Sequence, residues 1–384
     1  MKSSMNRPGE KSPRLAYVDN LRALMIIFVV MIHVGVTYSG LGSWYYKENQ
    51  DLGPISLLLF GVFQSFTQAY SMGLLFLFAG YFIPGALERK GAKRFVRDRL
   101  FRLGVPVLVY IFIIHPVCIA IAYPDTNIAD YYIRGIVSLD FVSWSGPLWF
   151  AFALLIFTLA YILIGKLFGV NLRGIPRGFG SPLTLKRGLL LVAVISAAAF
   201  ALRTAFPIGT DVINMQLGYF SSYAVMFVMG VTGLRKSFLD GIDHRAGKMW
   251  FIFSFAVGLP VWILIILFGG PLKGVFLING GVNWQAAAFA FWESFFCVAM
   301  VIGLIGIFKE RFNSGRPAAR FLSDQAFGVY VFHAPVLILV TKAVKGVSLH
   351  PLAKFCVVSV LAVSASYLFS YGIRRAGFLR RVFS

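Results

Sequence analysis

Apolar residues run along the chain in blocks of about 20, the length an α-helix needs to cross a lipid bilayer. Ten such blocks are legible, at 17–38, 62–84, 104–123, 147–168, 188–206, 217–235, 249–269, 285–307, 322–342 and 352–373. They read as helices. An open sheet in hydrocarbon leaves backbone groups unpaired, and barrel strands are shorter and alternate in polarity. Between the fifth and sixth blocks there is only a short polar break containing Pro207, Asp211 and Asn214. The pattern predicts an all-α, polytopic integral membrane protein of about ten transmembrane helices. It forms a single membrane-embedded domain over 1–384, with short tails at 1–15 and 374–384. The longest polar stretches, around 85–103 and 169–187, read as basic loops.

Composition supports lipid as the solvent. Of the 384 residues 58% are apolar and only 13% charged, against roughly 25% charged in soluble domains. This excludes a disordered chain, a coiled coil and an ordinary soluble enzyme. The net charge of +21 would suggest nucleic acid in a soluble protein. Here alternation of the blocks explains it. Of the 36 Lys and Arg residues, 29 fall on the side that carries both termini and 7 on the other. That bias is the positive-inside signature, so both termini are expected in the cytoplasm and no nucleic-acid partner is needed. The first block is too long for a signal-peptide core and lacks a small-residue cleavage site, so it reads as a retained span. Cys118, Cys297 and Cys356 lie within apolar blocks, in a spacing that fits neither a disulfide framework nor a zinc site. No metal is expected.

Ionisable side chains are costly inside a bilayer and usually mark function there. Those well inside the blocks are His33, His115, Glu293 and His333, with Asp19 and Arg22 near the start of the first. Arg22 and His33 are eleven residues apart, an offset of about 20° and about 16 Å along a helix. Both therefore lie on one face, Arg22 within reach of the headgroups and His33 near mid-membrane. Asp19 can pair with Arg22 at i,i+3. This stripe reads as an anion site leading to a buried base, or else as a structural histidine bonded to a neighbouring helix. His333 lies at a similar depth in the ninth block, three residues after Tyr330. Without a further clue the chain is a polytopic membrane protein with a buried histidine site, and a proton relay through His33, Glu293 and His333 in a transporter or exporter is one reading of it.

The motifs supply that clue. RLAYVDNLRALMIIFVVMIHV carries Arg, ten residues, then His. FLFAGYFIPGALERKGAKRFVRDRLFRLGVPVLVY, PLWF at 147–150 and LSDQAFGVYVFHAPVLIL follow in order. The series resembles the membrane acyltransferase-3 family, and WQAAAFAFWESFFCV at 284–298 is similar to the branch containing glucan succinyltransferase-like proteins. The resemblance implies an acyltransferase in the plasma (bacterial inner) membrane. It would take an acetyl or succinyl group from cytoplasmic acyl-CoA and place it on a hydroxyl of a carbohydrate or polyol acceptor.

It also implies that His33 stands at the family's essential histidine and Arg22 at its paired arginine. A hydroxyl needs a base to become a nucleophile, and histidine titrates in the right range. The thioester oxyanion needs donors. Coenzyme A needs cations, which Arg97, Arg99 and Arg102 could supply, although the same run would also set topology and meet lipid headgroups. Glu293 could polarise a histidine, bind an acceptor hydroxyl or pair with a cation. His333 is a second catalytic candidate or an orienting group, and His115, beside Pro116, reads as a packing partner. Trp149, Tyr330 and Asp211 are acceptor-binding candidates, Trp149 being equally readable as an interfacial aromatic. No Gly-x-Ser-x-Gly elbow, Walker phosphate loop or His-Glu-x-x-His helix occurs, so direct transfer is expected rather than a serine acyl-enzyme.

Overall fold

A computed structural model describes residues 15–48, 52–169, 184–232, 239 and 241–383. The tail 1–14, Arg173 and Arg177 of the second basic loop, and the end of the sixth block at 233–235 lie outside the described residues.

Among the described residues nine helices are long and apolar enough to cross a membrane. In chain order the helices are α1 (Ala16–Ser39), α2 (Pro54–Lys90), α3 (Ala92–Ala122), the short α4 (Ile128–Val137), α5 (Trp149–Leu167), α6 (Leu185–Ala205), α7 (Phe220–Val231), α8 (His244–Phe268), α9 (Trp284–Arg311), α10 (Pro317–Val344) and α11 (Pro351–Arg375). Among the described residues the sixth block, with the 3₁₀ turn ahead of α7, forms the apolar helix Leu217–Val231, about 22 Å long and shorter than the other nine. It is held by close backbone contact with α2. A Cβ on Gly80 would come within 2.5 Å of the Phe227 carbonyl, and one on Gly230 within 2.4 Å of the Leu77 carbonyl. Small residues of this kind let membrane helices approach at the backbone.

The first basic stretch is not a loop. α2 continues to Lys90, the chain turns at Gly91 in the left-handed region (φ 72°), and α3 starts at once. The basic residues 93–102 are therefore helical and fixed in direction. α3 is itself irregular, with π-helical turns at Leu100–Gly104 and Tyr110–Ile114. Such wide turns often mark functional segments.

α9 is the central helix. In its most apolar stretch 78% of residues are buried, against 22% in α8 and 33% in α11. The outward faces of the peripheral helices carry Leu190, Ile252, Leu264, Val360 and Leu368, as a lipid-facing surface requires.

The start of α1 meets the end of α9 and the start of α10. Asn20 Nδ2 donates to the Phe312 carbonyl at 2.7 Å, and the Tyr17 N–H to Asn313 Oδ1 at 3.3 Å. Lys309 at the end of α9 donates to the Leu239 carbonyl at 3.0 Å, and Arg374 at the end of α11 donates to the Asp324 carbonyl. This is called the basic end below. The loop after α1, the α6–α7 turn and the start of α9 lie at the opposite end.

Candidate active site

His33 and His333 meet. α1 and α10 pack side by side and bring the two imidazoles to 5.3 Å between centroids, with their planes 13° apart. A third ring joins them. Trp44 stacks on His33 at 3.9 Å and 13°, and lies 6.1 Å from His333 at 11°. The three rings form a nearly parallel triangle. His333 is fully buried and His33 half-buried. Along α1, His33 sits six residues before the end at Ser39, about 9 Å. It is nearer the opposite end than the sequence spacing from Arg22 alone implied, because α1 begins six residues before Arg22.

Trp44 arrives by a local device. Gly40 caps α1 in the left-handed region (φ 71°), its N–H bonded to the Val36 carbonyl, and Gly42 follows with φ 107°. Two reversals fold residues 43–48 back over the helix end, where the Glu48 N–H reaches the Thr37 carbonyl at 2.9 Å. Glu48 pairs with buried Lys354 of α11, and Lys342 of α10 sits 5.7 Å over the Tyr46 ring. Tyr45 bonds His115 Nδ1 at 2.9 Å and lies 3.2 Å from the Tyr110 hydroxyl.

Ring polarity follows from partners. His333 Nδ1 lies 2.9 Å from the Tyr330 carbonyl. A carbonyl only accepts, so Nδ1 carries the proton and Nε2 of the neutral ring holds a lone pair. That Nε2 is buried without a hydrogen-bond partner, as are His33 Nδ1 and Trp44 Nε1. Native proteins leave few buried polar atoms unpaired. Three of them in one triangle of touching rings define a place where a ligand's polar atoms would be satisfied.

The other candidates separate into groups. Tyr330 donates its hydroxyl to the Pro147 carbonyl, tying α10 to the PLWF segment beside His333. Trp149 stacks on Tyr223 of α7 at 5.7 Å, and Gln68 of α2 donates to the Tyr223 hydroxyl at 2.9 Å. Asp211 sits in an exposed turn, where partial burial of its carboxyl raises its pKa. Asn214 of the same turn donates to Ser145 Oγ at 2.9 Å and the Gly146 carbonyl at 2.8 Å, bracing the chain just before Pro147. His115 has both nitrogens engaged, by Tyr45 and by Tyr131 of α4 at 2.9 Å, and stacks on Trp144 at 5.0 Å. It acts as a packing partner.

Glu293 is committed elsewhere. It forms a buried ion pair with Arg203 of α6, whose Nε also donates to the Gly218 carbonyl at 3.0 Å. The guanidinium lies over Tyr219 at 5.5 Å and Phe289 at 5.7 Å. Among the described residues no hydrogen bond or ring contact joins Glu293 to either histidine. The sequence reading missed Arg203 as its partner and missed Trp44 altogether. The signal for the first was a second charge buried at the same end. For the second it was the aromatic run Trp44-Tyr45-Tyr46 after two closely spaced glycines.

At the basic end Arg22 and Asp19 pair at 3.6 Å. Arg99 lies within electrostatic reach of both Arg102 and Arg22, so α1 and α3 converge there in three guanidiniums. Arg97 is exposed on another face of α3. Beside this cluster a cleft of about 210 Å³ is lined by Ala16, Asp19, Asn20, Gly315, Arg320 and Ser323.

An anion-attracting end and a buried two-histidine centre, joined by one helix, suit transfer of a group from a charged carrier. The sequence agrees: residues 15–371 match the family model described as an acyltransferase domain, and the chain belongs to the acyltransferase-3 family. Among curated proteins it is similar to the glucans biosynthesis protein C of Salmonella paratyphi B, Salmonella heidelberg and Salmonella dublin. Each is 28% identical over 100 residues, covering 26% of this chain. The match spans only 24% of those relatives' length.

Proposed function

We propose that the protein is a membrane O-acyltransferase that moves an acyl group from acyl-CoA, bound from the basic end, to a hydroxyl of a carbohydrate acceptor reaching the histidines from the opposite end. The observation that carries this is the paired His33 and His333 rings with unpartnered nitrogens, standing about 16 Å along α1 from Arg22. A carrier with its phosphates at one end of a long thin arm and its thioester at the other fits that separation. The positive-inside bias supports a cytoplasmic basic end, in what we take to be a bacterial inner membrane. The glucan in the relatives' name points to a glycan acceptor.

In this reading His33 takes the acceptor proton as the oxygen attacks the thioester carbonyl, and returns it to the departing thiolate. His333 Nε2, its lone pair fixed by the Tyr330 contact, accepts a hydrogen bond from a neighbouring acceptor hydroxyl and orients the sugar. Arg22, Arg99 and Arg102 hold the carrier's phosphates.

The test is purified protein in liposomes with acetyl-CoA or succinyl-CoA and a glucan oligosaccharide. Release of free thiol should accompany a gain of one acyl mass on the oligosaccharide. Proton-coupled oligosaccharide movement with the thioester intact would overturn the proposal. Removing one charged contact to a phosphate costs about 1.5–3 kcal/mol, so Arg99→Ala should raise the KM for acyl-CoA about 10–100-fold. Acceptor KM should stay unchanged, and Arg97→Ala should have little effect. His333→Gln should raise the acceptor KM more than it lowers kcat.

A further inference from the structure

Trp44 has no role in the proton transfers just described, yet it makes the tightest ring contact in the site, 3.9 Å from His33. Its indole nitrogen is a donor only, and it is buried with no partner. The loop that presents it is fastened on both sides of the ring. Gly40 lies ahead, its carbonyl accepting from Lys47 Nζ at 3.4 Å; Tyr45 follows on His115, and Glu48 on Lys354. A side chain that only covered the site would not need its one polar atom buried without a partner beside two histidine rings. The two unpartnered imidazole nitrogens belong to rings that gain or lose protons, whereas the indole N–H keeps its proton throughout.

The geometry points to Trp44 Nε1–H as a catalytic donor to the thioester carbonyl oxygen. This inference rests on the acyl-transfer reading above. As the acceptor oxygen bonds to the carbonyl carbon and its proton passes to His33, the carbonyl π pair moves onto oxygen. That oxyanion accepts the indole hydrogen bond. Collapse re-forms the C=O bond, breaks the C–S bond and releases thiolate, which takes the proton from His33. A fixed donor aimed at charge that develops only in the transition state lowers the barrier without tightening substrate binding. Parallel stacking on His33 keeps the donor beside the base, so the oxyanion forms next to the group that has just received a proton.

The decisive variant is Trp44→3-benzothienylalanine, which keeps the bicyclic ring and its stacking and replaces N–H by sulfur. With acetyl-CoA and a glucan oligosaccharide in liposomes, kcat should fall about 10²–10³-fold, the usual loss for one oxyanion donor, with both KM values unchanged. Slow thioester hydrolysis without acceptor passes through the same oxyanion and should fall by a similar factor. A ring that merely shut out water would leave hydrolysis by the isostere unchanged and would speed it in Trp44→Phe, where the smaller ring covers less. An isostere with wild-type kcat, or one that changes acceptor KM alone, would overturn the inference. Trp44→Phe, which also lacks the donor, serves if the isostere does not accumulate; it should show the same fall in kcat. If His33→Ala still transfers acyl groups, the underlying reading fails; if His33→Ala is dead and the isostere is fully active, only the role of Trp44 fails.

Discussion

His33→Ala should lower acyl transfer about 10²–10⁴-fold, the usual contribution of one positioned acid–base group, while the protein elutes and melts as the parent does. The expectation of intact folding comes from the site itself. His33 Nδ1 has no protein partner, and the backbone link at this position, from Thr37 Oγ1 to the His33 carbonyl at 2.9 Å, survives the substitution. The loss should lie in kcat, because Arg22, Arg99 and Arg102, the proposed phosphate site, are untouched at the other end of α1. A variant that unfolds, or one that loses only affinity for acyl-CoA, would contradict the assignment of His33 as base.

Glu293→Ala should be the most destabilising single change in the bundle. It leaves the Arg203 guanidinium buried among Tyr219, Phe289 and the Gly218 carbonyl with its counter-charge gone. Breaking a buried pair from one side costs about 3–5 kcal/mol, whereas replacing both partners by apolar residues is often neutral. Arg203→Met with Glu293→Leu should therefore melt closer to the parent than Glu293→Ala alone in detergent, and should keep acyl transfer. If the double variant folds but is inactive, Glu293 takes part in the chemistry and is more than a brace between α6 and α9.

Much of this was legible in the sequence because helical periodicity is a local property. The Arg22–His33 stripe, the depth of His333 and its neighbour Tyr330 all follow from counting along one helix. What was hidden depended on where the chain turns or which helices touch. Gly91 turned a presumed loop into a helix junction, so the basic residues of α3 gained fixed directions. Gly40 and Gly42 returned Trp44 to a helix it had just left. Arg203, near the end of the fifth block, was passed over, because nothing in α6 alone announces that its third-last position pairs with α9. Hydropathy showed the sixth block but not its 3₁₀ start or its close glycine crossing with α2.

The two wide turns of α3 have a consequence for evolution by insertion and deletion. On an unbroken helix Arg99 and His115, sixteen residues apart, would point about 160° away from each other. If each π turn accommodates about one additional residue, the offset falls to about 40°. One ridge of α3 can then carry Arg99 toward Arg22 at one end and His115 toward Tyr45 at the other. Excising a single codon from either turn would swing the half that carries Arg99 out of phase with the half that carries His115. Lineages should therefore tolerate substitution along this helix far more readily than any change in its length.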